Sequence, residues 1–113
     1  MSVVRSLTIG GTRVTATNFT RWVHETGGRP SDLARALATY AIQVRAGIDS
    51  REVISTRLDR SEVGARGEVT AVVYQVTTGV YDDAHNGYLD IITTMVVVTT
   101  PQIRTATTWL DQA

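Results

Sequence analysis

The 113-residue sequence contains no cysteine and no lysine, and it has only two prolines and one phenylalanine. The absence of cysteine excludes a disulfide scaffold, a thiolate zinc site and a cysteine nucleophile. No run approaches the roughly 18 apolar residues of a membrane-spanning helix. The first residues show no basic region followed by an apolar stretch, so we expect no signal peptide. These absences are compatible with life in the cytosol, or in a particle assembled there.

Threonine and valine dominate the composition, with eighteen and fifteen copies. Both are β-branched, so the composition favours half-buried strands over helix bundles. A hydrophobic content of 42% with a mean hydropathy of −0.03 excludes a disordered chain. The length allows one domain, residues 1–113. Eleven arginines balance eleven acidic residues, which argues against long-range attraction to nucleic acid but leaves room for a local arginine cluster.

The first half of the chain predicts a hairpin followed by a helix. Residues 3–16 alternate around Gly10-Gly11, a dipeptide typical of two-residue hairpin turns. Residues 17–30 read as a helical turn or an irregular strand. Residues 31–46 show helical spacing of apolar residues, with Ser31 as N-cap and Gly47 at the expected C-terminal cap.

The second half predicts three strands and a helix. Period-two patterns run through 53–59, 68–78 and 88–99, and their short connections require an antiparallel meander. Pro101 opens a helix capped by Thr99 or Thr100. The order ββ-α-βββ-α indicates an α+β fold, with the hairpin and the meander in one sheet covered on one face by helices. The third strand is apolar on both faces, which predicts an obligate oligomer.

Two small clusters of polar residues are candidates for chemistry. Asp82, Asp83 and His85 are metal-ligand types, but Asp and Asn are also favoured in solvated turns for their backbone preferences, and we prefer that interpretation. His24 and Glu25 are candidates for an acid–base pair, although a lone histidine beside aromatic residues is more often a packing residue. Because no catalytic motif is present, we expect neither an enzyme nor a cofactor or metal.

The arginines suggest a second type of site. Four of them cluster in or beside the first hairpin of the meander, and three tyrosines lie in or beside the neighbouring strands: Arg51, Arg57, Arg60, Arg66, Tyr74, Tyr81 and Tyr88. Arginine binds phosphate bidentately, and tyrosine stacks on unpaired RNA bases. Alternatively, nearby acidic residues neutralise these arginines on a solvated face. The residues alone leave both interpretations open.

Three stretches resemble the coat proteins of single-stranded RNA bacteriophages, the levivirus group. They are the hairpin and its exit at residues 10–19, the strand pair Val53–Val76, and the run from Tyr88 through Thr99-Thr100-Pro101 into the last helix. This sequence differs from the family pattern in three respects. Asp90 stands where the family has a neutral amide, and the helix predicted for 31–46 occupies a region that is strand and loop in the family. The sequence predicts one C-terminal helix, whereas the family has two.

The resemblance implies a homodimer whose strands form one continuous sheet, assembled into an icosahedral virion shell in the cytoplasm of a bacterial host. The sheet would face single-stranded RNA, including a hairpin that acts as a translational operator. Transferred residue by residue, the RNA-binding set is Ser55, Arg57, Thr70, Tyr88 and Asp90. Strand alternation then predicts a helix-facing set, namely Ile54, Leu58, Val69, Ala71, Leu89 and Ile91.

We therefore expect a structural coat protein that dimerises, self-assembles and packages RNA, with no membrane association. The alternative is a small cytosolic dimeric α+β module that binds a peptide or a small ligand. The two hypotheses differ in whether the purified protein forms large particles that contain RNA.

Overall fold

The computed structural model describes residues 4–113, so residue 3 of the predicted hairpin segment lies outside the described part. The element order is ββ-αα-βββ-α, which confirms an α+β fold with one more helix than predicted. The elements are β1 (Ser6–Ile9), β2 (Thr12–Thr15), α1 (Ala16–Glu25), α2 (Leu33–Ile48), β3 (Glu52–Val63), β4 (Val69–Asp82), β5 (Gly87–Thr99) and α3 (Thr100–Asp111).

The hairpin and the meander form two separate sheets, whereas one sheet was predicted. Strands β1 and β2 pair only with each other, while the larger sheet has the order β3-β4-β5 with antiparallel neighbours. Gly10 and Gly11 both have positive φ angles, as their two-residue turn requires. Ile9 and Val14 of the hairpin are buried in the common core, so the hairpin is held by packing and not by strand pairing.

Residues 16–25 form a regular helix. The sequence predicted either a helical turn or an irregular strand for residues 17–30. Thr15 is the N-cap, and its side chain accepts a hydrogen bond from the Asn18 amide. Phe19 and Val23, four residues apart, are buried on one side of this helix, and Trp22 packs partly against the same core. The spacing of these three residues is the helical signal that the sequence contained.

Helix α2 begins and ends two residues later than predicted. Asp32, and not Ser31, caps it, because the Asp32 carboxylate accepts from the Arg35 amide at 3.1 Å. Gly47 lies inside the helix and does not end it. The left-handed residue that follows is Ser50, with φ 56°. The amide of Arg51 donates to the Ala46 carbonyl at 2.8 Å, which directs the chain into β3.

The helices cover one face of the large sheet, here called the covered face. Val72, Tyr74 and Val76 of β4 contribute to the core on this side, together with Val96 and Val98 of β5. Thr56 of β3 is buried there, and its hydroxyl lies 2.7 Å from that of Thr39 in α2. Helix α3 closes the core with Ala106 and Trp109.

The predicted helix-facing set is not the set that the helices bury, although Leu58, paired with Tyr74, does lie on the covered face. Ala71 is buried, but it alternates with Val72 and Tyr74 and lies outside the core cluster. The other members are 40–63% exposed: Ile54, Leu58, Val69, Leu89 and Ile91. Register shifts interrupt the pairing of β3 with β4 at three points and that of β4 with β5 at one point, and strict alternation does not survive a bulge.

Candidate functional site

Three of the five residues in the predicted RNA-binding set lie on the open face, the side of the sheet opposite the helices. Ser55 is paired with Thr77 and Arg57 with Gln75, and both alternate with the buried, helix-facing Thr56. Tyr88 is paired with Tyr81 near the turn between β4 and β5. The Arg57 side chain forms no ion pair within residues 4–113, so its guanidinium group remains available.

Thr70 and Asp90 do not join this arrangement. Thr70 lies in an irregular stretch close to the turn between β3 and β4, and its hydroxyl donates to the Glu62 carbonyl at 3.3 Å. Eleven positions of β4 separate Thr70 from Tyr81, the partner of Tyr88, or about 36 Å along an extended strand. One nucleotide therefore cannot contact both Thr70 and Tyr88.

Asp90 is held on the other side of the sheet by Arg51. Asp90 has a positive φ of 54° at the irregular point in the β4–β5 pairing. Its carboxylate accepts from Arg51 Nη1 at 2.6 Å, and its backbone carbonyl accepts from Nη2 of the same residue. Arg51 Nε also donates to the Thr78 hydroxyl at 3.1 Å. The predicted common side for Tyr88 and Asp90 is thus wrong, because the bulge lies between them.

An exposed patch of aromatic and aliphatic residues surrounds Gly79 on the open face, and we call it the tyrosine patch. The rings of Tyr81 and Tyr88 lie 5.4 Å apart and nearly perpendicular. A Cβ atom on Gly79 would lie 2.9 Å from the side chains of both Ile54 and Ile91, so glycine allows them to close over the strand. The patch offers flat apolar surface on which a base or another side chain can stack.

The hydroxyl of Tyr88 is already engaged. It donates to the Glu52 carboxylate at 2.7 Å, and this hydrogen bond raises the pKa of Tyr88. Elsewhere on β3, Gln75 and Arg60 both donate to Asp59, and together they lower the pKa of that carboxyl group, with Gln75 the larger cause. Acidic groups thus neutralise much of the charge on this sheet, as the solvated-face interpretation of the arginines requires.

The two other candidate clusters, around His85 and around His24, lie in a turn and at a helix end. Asp82 accepts from the amide of Ala84 at 3.1 Å and contacts the ring of His85, which is the pattern of a polar turn. Within the described residues 4–113, no three potential ligands lie together in a way that suits a metal ion. His24 and Glu25 lie in the last turn of α1 and line a cleft of about 460 Å³ between α1 and the end of α3.

The two edges of the large sheet differ in character. Strand β3 carries two glutamates, two arginines and an aspartate along its twelve residues, and its pairing with β4 shifts register three times. Strand β5 has thirteen residues and a single charged one, Asp90. Five large apolar side chains of β5 are 44–54% exposed, namely Leu89, Ile91, Ile92, Met95 and Val97. Charges and bulges protect an edge from pairing with another chain, so β3 is protected and β5 is bare.

Comparisons with known proteins give no relative: no family model, no curated protein and no solved structure matches the chain. In the described part of the chain, no helix combines the length and the apolar character needed to cross a membrane.

Proposed function

We propose that this protein is a structural coat subunit that forms homodimers through β5, assembles into a closed virion shell in a bacterial cytoplasm, and packages single-stranded RNA. The observation that carries the proposal is the bare β5 edge, a long apolar strand that has hydrogen-bonding partners on one side only. A strand of this kind pairs readily with another strand. A second copy of the chain offers one of identical length and character.

The exposed apolar residues of β5 lie on both faces of the sheet. Met95 and Val97 are paired with Gln75 and Val73 on the open face, and Ile92 is paired with Thr78 on the covered face. Antiparallel pairing of two β5 strands would place such residues beside their counterparts in the partner. Roughly 25 cal/mol is gained for each Å² of apolar surface removed from water, so the pairing would be stabilised on both faces.

The RNA part of the proposal rests on the open face. The tyrosine patch provides a stacking surface, and Arg57 provides an unpaired guanidinium about 20 Å away along the strands. Ser55 lies two residues from Arg57 on the same face of β3, and its hydroxyl group can form a hydrogen bond with the edge of a base. Thr70 and Asp90 are not part of this proposed contact, because their side chains are engaged elsewhere.

The decisive experiment is expression in bacteria followed by size-exclusion chromatography and negative-stain electron microscopy. We expect large closed particles that contain nuclease-protected RNA. A dimer that never enlarges at any salt concentration or pH would contradict the coat function.

The role of β5 is tested by Met95→Lys, which places a charge in the middle of the bare edge, with Leu58→Lys as a control. Leu58 is 63% exposed on the protected β3 strand. We expect Met95→Lys to give folded monomers by analytical ultracentrifugation and Leu58→Lys to associate normally. Equal association of both variants would exclude β5 as the interface.

The alternative is a dimeric binding module, and the cleft between α1 and α3 favours it. This cleft has a floor of Ala16 and Trp109, both buried, and is large enough for a small ligand. Such a module would purify as a discrete dimer free of nucleic acid, so the same chromatography distinguishes the two functions.

A further inference from the structure

The charges of the protein are divided between its two layers. The layer formed by the hairpin and the helices, residues 4–48 and 100–113, is called the helix layer here. It contains seven arginines and three acidic residues: Arg5, Arg13, Arg21, Arg29, Arg35, Arg45, Arg104, Glu25, Asp32 and Asp111. The sheet segment, residues 49–99, contains four arginines and eight acidic residues. The net side-chain charge is therefore +4 for the helix layer and −4 for the sheet segment. The chain has no net charge, but its positive and negative charges are separated between the two layers.

Ion pairing increases the contrast between the layers. All seven arginines of the helix layer are exposed, and within residues 4–113 only Arg29 forms an ion pair, at 2.5 Å from Asp111. In the sheet segment, Arg51 is paired with Asp90 and Arg60 with Asp59 and Glu62. The guanidinium groups free to meet a polyanion are thus concentrated on the helix layer.

Two of these arginines line the cleft between α1 and α3. Arg5 and Arg21 lie there with the His24 ring, and the negative side chain in the lining is that of Glu25. Ala113 also lines the cleft. The backbone next to Arg5 is fixed on both sides, because the Arg5 carbonyl accepts from the Ala16 amide and the Val4 carbonyl accepts from Trp109 Nε1, both at 2.8 Å. These two hydrogen bonds position the Arg5 backbone beside α1 and α3.

We propose that the phosphate backbone of single-stranded RNA binds to the helix layer, with a phosphate held between Arg5 and Arg21 in this cleft. The proposal rests on the proposed function for its ligand, single-stranded RNA, but it replaces the backbone contact on the open face. Packaged RNA lies on one side of a shell, and in this proposal that side is the helix layer. Attraction between arginine and phosphate provides most of the sequence-independent affinity for nucleic acid. A segment with twice as many acidic residues as arginines would repel the backbone, whereas the helix layer attracts it.

The test compares two double variants with the same change in charge. Arg5→Gln with Arg21→Gln alters the cleft, and Arg60→Gln with Arg66→Gln alters the sheet segment at exposed positions. Binding of a fluorescent 20-nucleotide poly-U RNA is measured by anisotropy between 50 and 300 mM salt (about a sixfold range that exposes the counterion effect). Each variant is compared with the wild type in the same assembly state, which is checked by ultracentrifugation.

We expect the cleft variant to bind about tenfold more weakly at low salt and to lose about 0.7 from the slope of log K against log salt, since the cleft holds one phosphate and each phosphate contact on a single strand contributes about 0.7. The sheet variant should change neither quantity. Glu25→Gln should tighten binding by about twofold, because it removes the acidic side chain from the cleft. Inorganic phosphate at millimolar concentration should compete only at high excess, which separates an RNA site from a site for free phosphate.

A larger loss in the sheet variant than in the cleft variant would overturn this inference and leave the proposed function intact. Equal losses would overturn it as well, because they would show no preference for a layer. If the wild-type protein binds no RNA and forms no particles, the proposed function itself fails.

Discussion

At the scale of single residues, Tyr74 and Asp32 connect the sheet to α2. The Tyr74 hydroxyl, on the central strand, donates to both carboxylate oxygens of Asp32 at 3.0 and 3.2 Å, while one of these oxygens also caps the helix. Burial, followed by the hydrogen bond to Asp32, raises the pKa of Tyr74 to about 12. The same carboxylate therefore satisfies a helix end and a buried phenol.

Tyr74→Phe is expected to lower the free energy of unfolding by about 1–2 kcal/mol, since it removes a hydrogen bond to a charged acceptor. The measurement is the urea midpoint at pH 7. Tyr81→Phe is the matched control, because the Tyr81 hydroxyl donates to Asn86 in an exposed turn. That control should cost less than about 0.5 kcal/mol. Similar costs for the two variants would contradict the role assigned to Asp32.

The raised pKa of Tyr74 also predicts a pH dependence. The folded protein holds this proton more tightly than the unfolded chain, whose tyrosine titrates near pH 10. The stabilisation is therefore complete below pH 10 and is lost as the pH rises from 10 towards about 12. Urea unfolding at pH 8, 10 and 11.5 should show a steeper decline for the wild type than for Tyr74→Phe. Parallel curves would exclude the linkage.

At the scale of elements, the start of α3 is defined by Thr99, one of the two caps that the sequence offers, together with Gln102. Thr99 accepts from the Gln102 amide at 3.3 Å, and the Gln102 side chain accepts from the Thr99 amide at 2.9 Å. This is a capping box, with Pro101 in the first turn. The Gln102 side-chain nitrogen also donates to the Thr8 carbonyl at 3.0 Å, which ties α3 to the hairpin.

Thr99→Ala is expected to destabilise the protein by about 1 kcal/mol through loss of this cap, whereas Thr99→Ser should retain most of the stability because serine also caps well. Thermal unfolding followed by circular dichroism gives both values. A serine variant as unstable as the alanine variant would show that packing of the threonine methyl group, and not capping, determines the effect.

The predictability of each element follows from how local its signal is. Gly10-Gly11 and Thr99 act through their immediate neighbours, so the hairpin and the start of α3 were predicted correctly. Helix α1 was left open because Gly27, Gly28 and Pro30 suggested irregular structure, although they follow the helix. The predicted faces of Ile54 and Asp90 failed for a different reason. The bulges near these two residues depend on pairing with β4, and the period of one strand does not show how it pairs with its neighbour.

The candidate site shows the same division. The open-face positions of Ser55 and Arg57 follow from alternation over two residues, which no register shift interrupts. The engagement of Asp90 by Arg51 joins residues 39 positions apart and cannot be read from spacing. The cleft between α1 and α3 was missed because it needs both ends of the chain, from Arg5 to Ala113.

At the scale of the whole molecule, stability should depend on concentration. The chain is elongated, with extents of 52 × 33 × 23 Å, and it leaves a long apolar edge exposed. If two copies cover that edge, the melting temperature should rise with protein concentration, because association stabilises the folded state by mass action. Calorimetry at 5 and 500 μM (about a hundredfold range, equivalent to about 2.7 kcal/mol) tests this. The melting temperature of Met95→Lys should not change with concentration. If the melting temperature of the wild type is equally constant, pairing through β5 is contradicted.

The contrast between the two sheet edges limits how many copies can join in a row. A subunit with two bare edges could add neighbours without end and would grow into a fibre. Here β3 is protected by charge and irregular register, so each chain can extend its sheet in one direction only. Under the proposed β5 pairing, growth of the sheet would stop at a symmetric pair of chains with six strands. Any larger assembly would then be built from contacts that do not involve strand pairing.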